Sequence, residues 1–258
     1  RTGCIPHALD VGDLSALTEL CRDLEVDILV NNAGVSHPGS ILNADETVID
    51  TQVDVNLRAV LHLCRLLVPG MMARDCGHVI NITSIAAIYN FNGNSVYHAT
   101  KAAVHALSRQ LRVDCYGKRV RITEICPGRV ATDIFGNVSG DHEDARKRFI
   151  DGFEWPQAKD IADCVAFALS APVAVNIGNI GFVPPQTIVW DKSNLSGKLT
   201  VDNITQTAHE HELELRANPH DLVAPLPHSP LSSHPYTALS DNSVHFLTLI
   251  PHHTPTHL

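Results

Sequence analysis

No two of the chain's seven cysteines form a Cys-x-x-Cys pair, and the number is odd. That excludes a disulfide framework and a zinc-finger spacing. Most of the cysteines, Cys64 among them, lie on apolar faces of helical pattern, where a thiol acts as a small hydrophobe. A reducing, cytoplasmic setting is expected. Positive charge is scarce as well: 19 Lys and Arg against 28 Asp and Glu give a formal net charge of -9. A nucleic-acid footprint needs the opposite balance. The one basic cluster, Arg146-Lys147-Arg148, reads as a solvated helix face. No run approaches the ~20 apolar residues that a membrane span requires, and no secretory leader is visible. Residue 1 is Arg rather than Met, which leaves the biological start open.

What is present is apolar sequence in short runs, such as Ile28-Leu29-Val30 and Val79-Ile80-Asn81-Ile82. Runs of this length suit strands buried on both faces, the habit of parallel sheets. The pattern predicts strand ends or strands at 7–11, 27–31, 78–84, 120–126 and 177–183. Between them it predicts helices at 13–24 (capped by Asp13), 45–67, 95–116 and 159–169. The stretch 45–67 reads as two helices meeting near Asn56-Leu57, because asparagine is a poor helix former. Strands alternating with helices imply an α/β fold of right-handed βαβ units. After about Trp190 the composition changes: cysteine stops, while His and Pro become frequent. Residues 1–190 therefore read as the α/β domain and 191–258 as a His/Pro-rich, irregular tail, with one short helix expected over 203–216.

Tyr97 and Lys101 stand four residues apart, on one face of the Ala-rich helix. A free tyrosine has a pKa of about 10. A lysine within ~4–6 Å favours the phenolate and brings that value toward neutrality. Any helix can hold such a pair, so its neighbours decide. Ser84 follows one buried strand, Asn32-Ala33-Gly34 another and Pro127-Gly128 a third. In open α/β sheets, ligands bind outside these carboxyl ends.

Taken together, these residues resemble the short-chain dehydrogenase/reductase family. The matching positions are Asp10-Val11, Asn31-Asn32-Ala33-Gly34, Asn56, Ser84, Tyr97-x-x-x-Lys101 and Pro127-Gly128-Arg129-Val130-Ala131-Thr132, in order and spacing, over roughly residues 4–188. The resemblance implies an NAD(P)-dependent oxidoreductase. Tyr97 would be the general acid/base, and Ser84 would hydrogen-bond the reacting oxygen. Lys101 would lower the Tyr97 pKa and hold the nicotinamide ribose, and Asn56 would hold a water in a proton relay. Asp10 and Val11 would contact the adenine. Asn32, Ala33 and Gly34 would line the adenosine ribose. Pro127, Gly128, Val130 and Thr132 would flank the nicotinamide. Residues 120–135 and 175–186 look like the subgroup acting on small 3-hydroxy acids such as serine or allo-threonine. NADP is then the expected cofactor, with NAD as the alternative. Family members pair through the helices corresponding to 57–75 and 95–116, so a homodimer or homotetramer is expected.

Blander readings stand beside these. Asp10 could simply close a turn, and Gly34 could be ordinary turn chemistry. The sequon Asn81-Ile82-Thr83 lies in a buried strand and is read as meaningless. His98 points away from Tyr97 and is read as inert. In the tail, His209-Glu210-His211 and His252-His253 supply two ligands each, too few for a metal, so no metal site is expected.

The sequence also departs from the family. The family opens with a strand, a Gly-rich turn, a helix and a second strand, a unit of roughly 30 residues or more. Only nine residues precede Asp10, and no Thr-Gly-x-x-x-Gly-x-Gly segment is present. The expected fold is a Rossmann-like, doubly wound parallel sheet lacking its first strand, Gly-rich turn and second strand. In the order 3-2-1-4-5-6 those strands would lie between 7–11 and 27–31. Their loss leaves a gap, forces 7–11 against 27–31, or exposes an apolar edge. A chain consisting of these residues alone is expected to bind dinucleotide weakly or not at all. The alternative to an active dehydrogenase is an inactive remnant that keeps only self-association surfaces.

Overall fold

The structure is a computed structural model that describes residues 5–90, 93–134, 136, 141–151, 154–183 and 246–249. The expected helix at 203–216, the tail histidines and Pro184-Pro185-Gln186 lie outside them. The chain divides into two units, Arg1–Val189 with Leu239–Leu258, and Trp190–Ala238. The second unit lies wholly outside the described residues, and the first holds the fold.

That fold is a five-stranded, all-parallel sheet with the order β4-β3-β2-β1-β5. The strands are β1 (Ile28–Asn31), β2 (Gly77–Ile82), β3 (Val120–Pro127), β4 (Asn179–Phe182) and β5 (Phe246–Leu249). The helices are α1 (Leu14–Cys21), α2 (Glu46–Val53), α3 (Ala59–Arg74), α4 (Ser95–Asp114), α5 (His142–Phe149) and α6 (Ala158–Ser170). Asp13 caps α1, its carboxylate accepting from the Ser15 and Ala16 amides.

Strand residues alternate between two layers. Leu29, Val79 and Ile122 face Leu17, Leu63, Leu67, Met71, Val104 and Leu111 of α1, α3 and α4. Ile28, Val30, Ile80 and Ile125 face Ile161, Val165 and Leu169 of α6. The helix Glu46–Arg74 is continuous and, by length and composition, apolar enough to cross a membrane. Its apolar stripe, Val60, Leu63, Cys64, Leu67 and Met71, is buried in the core instead.

Two expectations about the sheet need correction. Residues 7–10 form no strand. They lead into a turn in which the Asp10 carboxylate accepts from the Gly12 amide at 2.8 Å, and Val11 sinks into the core. The edge of β1 is neither bare nor paired with 7–11. Residues 246–249, expected to be irregular, pair with it in parallel, Ile28 opposite Phe246 through Asn31 opposite Leu249. All four β1 residues are buried. An apolar strand of that kind needs a partner for its second row of backbone groups, and the apolar segment Phe246-Leu247-Thr248-Leu249 supplies one.

Candidate active site

The break expected at Asn56 is a π-helical turn, Asp54–Arg58, between α2 and α3. Such one-turn bulges inside α-helices recur at functional sites. The bulge turns the buried Asn56 side chain toward the loop that leaves β1. There its Nδ2 donates to the Val35 carbonyl and its Oδ1 accepts from the Val35 amide, both at 2.8 Å. Nδ2 also reaches Thr100 Oγ1 at 3.2 Å, tying the bulge to α4. A Cβ built on Gly34 would stand 3.4 Å from both Asn56 Oδ1 and Lys101 Nζ. The backbone after Asn32 therefore passes directly over both groups.

Ser84 lies two residues beyond β2. It caps a short 3-10 turn, Ile85–Ala87, by accepting from the Ala86 amide at 3.1 Å. Its hydroxyl lies near the phenol of Tyr97, in the first turn of α4, close enough to favour the phenolate. One turn on, the Lys101 ammonium lies 5.6 Å from the Tyr97 ring centre. It donates to the Ile82 carbonyl at 3.1 Å. Ser84, Tyr97, Lys101, Asn56 and Gly34 thus share one region at the carboxyl ends of β1 and β2.

Burial sets the electrostatics. It pushes the Lys101 ammonium down to about 8, the nearby Cys126 sulfur acting the other way. Burial also raises the Tyr97 phenol, with the Ser84 hydroxyl pulling it back. The upward shift of the phenol comes from its burial, and the Lys101 ammonium, over the ring at 5.6 Å, is bonded to Ile82. A phenol and a hydroxyl therefore lie together, with an amine whose pKa is lowered to about 8 one helical turn away.

The remaining predicted residues are more dispersed. Asp10 is exposed at its turn, while Val11, Asn31 and Ala33 line a small cavity against α3. Asn32 is exposed, Pro127 is buried, and Gly128 and Val130 are partly buried, whereas Thr132 faces solvent. The Gly128 amide donates to the Phe182 carbonyl and that of Ala131 to Pro156. The Arg129 guanidinium lies 5.3 Å over the Trp155 ring, closing the loop after β3. His98 is buried and donates to the Ala86 carbonyl at 2.7 Å, holding the turn after Ser84 against α4.

Three residues that sequence reasoning did not single out help build the site: Val35, Thr100 and Ile82. Two act through backbone groups, which side-chain patterns do not reveal. A fourth feature carried a visible signal. Polar Asn31, Asn81, Glu124 and Asn179 sit in register across β1, β2, β3 and β4, on the face under α4. Asn31 donates to Asn81 at 2.8 Å, and Asn179 to Glu124 at 3.0 Å. A polar residue inside each of several apolar runs marked this row.

Comparison with known proteins identifies the family. A family model described as short chain dehydrogenase matches residues 4–143. An uncharacterized short-chain type dehydrogenase/reductase, y4eK, of Sinorhizobium fredii is 34% identical over 188 residues, 72% of this chain and 75% of that protein. The NADP-dependent 3-hydroxy acid dehydrogenase YdfG of Escherichia coli is 34% identical over 186 residues, 68% and 74% of the two chains. A solved serine dehydrogenase in its closed form with NADP+ superposes with a TM-score of 0.67 at 31% identity, covering 70% of this chain and 75% of that one. Serine dehydrogenase from Escherichia coli superposes at 0.59 with the same identity. The chain belongs to the short-chain dehydrogenase/reductase family.

Proposed function

We propose that this site transfers hydride between NADP and a small 3-hydroxy acid or its oxo form, with Tyr97 as general acid/base. One observation carries the reading: the Ser84 hydroxyl lies by the Tyr97 phenol and favours its ionised form, with the Lys101 ammonium 5.6 Å from the ring centre. A substrate oxygen entering between the two hydroxyls would accept a hydrogen bond from each as charge develops on it. Tyr97 would exchange the proton with that oxygen. Lys101, with a pKa near 8, would restore it. Asn56 would fix the Val35 peptide that roofs this path and support a water leading to solvent. NADPH, when bound, supplies the hydride, and the proton moves belong to the chain.

The chain's residues fit the nicotinamide side of that cofactor. Gly34 leaves open space directly over Lys101 Nζ, which a Cβ would fill. Pro127, Gly128, Val130 and Thr132 would flank the nicotinamide, Asn32 and Ala33 the ribose, and Asp10 and Val11 the adenine. The substrate class rests on what the relatives are named for: YdfG as a 3-hydroxy acid dehydrogenase and the solved structures as serine dehydrogenases. Exposed Leu61, Val113 and Tyr116 on and beside α3 and α4 fit self-association through these helices.

A second reading is favoured by one observation, the pairing of β5 on β1. In a doubly wound sheet that edge belongs to the nucleotide-binding strand. A chain that fills it with its own C-terminal segment would be an inactive member keeping its self-association surfaces. Incubating the chain with NADP+ and a panel of 3-hydroxy acids, while following NADPH absorbance, separates the two. The proposed activity predicts turnover with 3-hydroxy acids and none with simple alcohols of equal length. Tight NADPH binding without turnover of any panel member would overturn the proposed activity. No detectable NADPH binding would favour the inactive reading.

A further inference from the structure

We propose a transition-metal site, suited to Zn2+, formed by His105, Glu124 and Cys126. His105 follows Lys101 by four residues, so it lies one turn further along the same face of α4. Its imidazole meets the carboxylate of Glu124 and the thiol of Cys126, which project from β3 on the side facing α4. The three ligating atoms lie within 4.8 Å of one another, the one such cluster among the described residues. A tetrahedral zinc centre needs ligand atoms roughly 3.3–3.8 Å apart, given Zn–N near 2.0 Å and Zn–S near 2.3 Å. The His105–Glu124 pair, now at 2.8 Å, opens by about half an ångström and the wider spacings close by about 1 Å, both within reach of side-chain rotation, to complete three corners. The fourth stays open for water, as in three-ligand zinc sites.

The surroundings already do what an outer shell of a metal site does. Thr83 Oγ1 donates to Glu124 Oε1 at 2.7 Å, and Asn179 Nδ2 donates to Glu124 Oε2 at 3.0 Å. The same two side chains reach Cys126 Sγ at 3.0 and 3.1 Å. Both prospective ligands are thus oriented from outside the ring. Glu124 and Cys126 are fully buried, whereas the His105 side chain is 25% exposed and gives an ion its approach. Imidazole and thiolate select zinc or cobalt over the hard cations magnesium and calcium.

Charge balance supports the site. The Glu124 carboxylate and the His105 imidazole already meet at 2.8 Å. One carboxylate and one thiolate match the charge of a divalent ion, and imidazole ligates in its neutral form, so an occupied site leaves no unbalanced charge in the interior.

Titration of the whole 258-residue chain with Co2+ tests this without reference to turnover. Thiolate-to-cobalt charge transfer in the near ultraviolet reports a cysteine ligand, to which the tail histidines are blind. The expected result is a charge-transfer band removed by added Zn2+, absent in Cys126→Ser, and weakened at least tenfold in apparent affinity by His105→Ala. No band in the parent chain overturns the proposal. So does a band that survives in Cys126→Ser, as exposed Cys76 could give. Should Cys126→Ser fail to fold, the partly exposed His105→Ala decides alone: unchanged cobalt affinity overturns the site.

Discussion

The Asn56 side chain grips the Val35 peptide from both sides, donating to its carbonyl and accepting from its amide at 2.8 Å each. One amide on a helical bulge thereby sets the path of the loop that crosses Lys101. Asn56→Ala leaves two partly buried backbone groups and Thr100 without this partner. Each unmade bond of this kind costs about 1–3 kcal/mol. The expected outcome is a lowered urea midpoint with an unchanged slope, and faster hydrogen exchange at the Val35 amide than in the parent chain. Unchanged exchange at Val35 would show that the clamp does not hold the loop.

Lys101 should weaken the fold in the pH range where it is charged. Its pKa falls from 10.5 to about 8 in the folded chain through burial. Below pH 8 the folded state carries a buried ammonium that the unfolded state solvates better. Between about 8 and 10.5 the unfolded chain binds the extra proton, so this group's contribution to stability rises with pH. A shift of that size corresponds to roughly 3 kcal/mol, offset by the hydrogen bond to Ile82 that a substitution would lose. Lys101→Met is therefore expected to raise the melting temperature at pH 7 by several degrees and to lose that gain by pH 10.5. A lower melting temperature at pH 7 would reverse the account.

Pairing of β5 with β1 predicts protection of a particular edge. Proline at both 247 and 248 removes whichever of these amides the ladder uses, since successive residues alternate in direction. Amides of Ile28–Asn31 that bond toward β5 should then exchange faster, while those facing β2 stay protected. The uncovered edge should also increase concentration-dependent association, followed by light scattering. Equal exchange in the parent and doubly substituted chains would mean that β5 does not protect the edge.

Much of this was legible before the fold was known. Short apolar runs and the 3.6-residue period located β1, β2, β3, α1, α2 and α4 to within a few residues, while α3 runs on to Arg74, past the expected end at 67. The misfit of Asn56 in an apolar helix pointed to the π-helical turn. The Tyr97–Lys101 spacing and the strand-end position of Ser84 foretold their meeting. Three things were not legible. The turn at Asp10 replaced an expected strand end, because a short apolar segment such as Ala8-Leu9 does not by itself show whether a neighbour exists to pair with it. The pairing of 246–249 with β1 is a contact between segments more than 200 residues apart, which no local pattern encodes. The hydrogen bond of the Lys101 ammonium to Ile82 depends on a backbone carbonyl that no motif contains.

The central claim is that Tyr97 exchanges the proton with the substrate oxygen while Ser84 and Lys101 support it. Replacing Tyr97 with Phe removes only the hydroxyl, and comparison of its NADPH-linked turnover with that of the parent chain tests the claim most directly. The account predicts a fall of about 10²–10⁴-fold in kcat with the NADPH dissociation constant unchanged within about twofold. Retention of the parent rate by the Phe variant would contradict it.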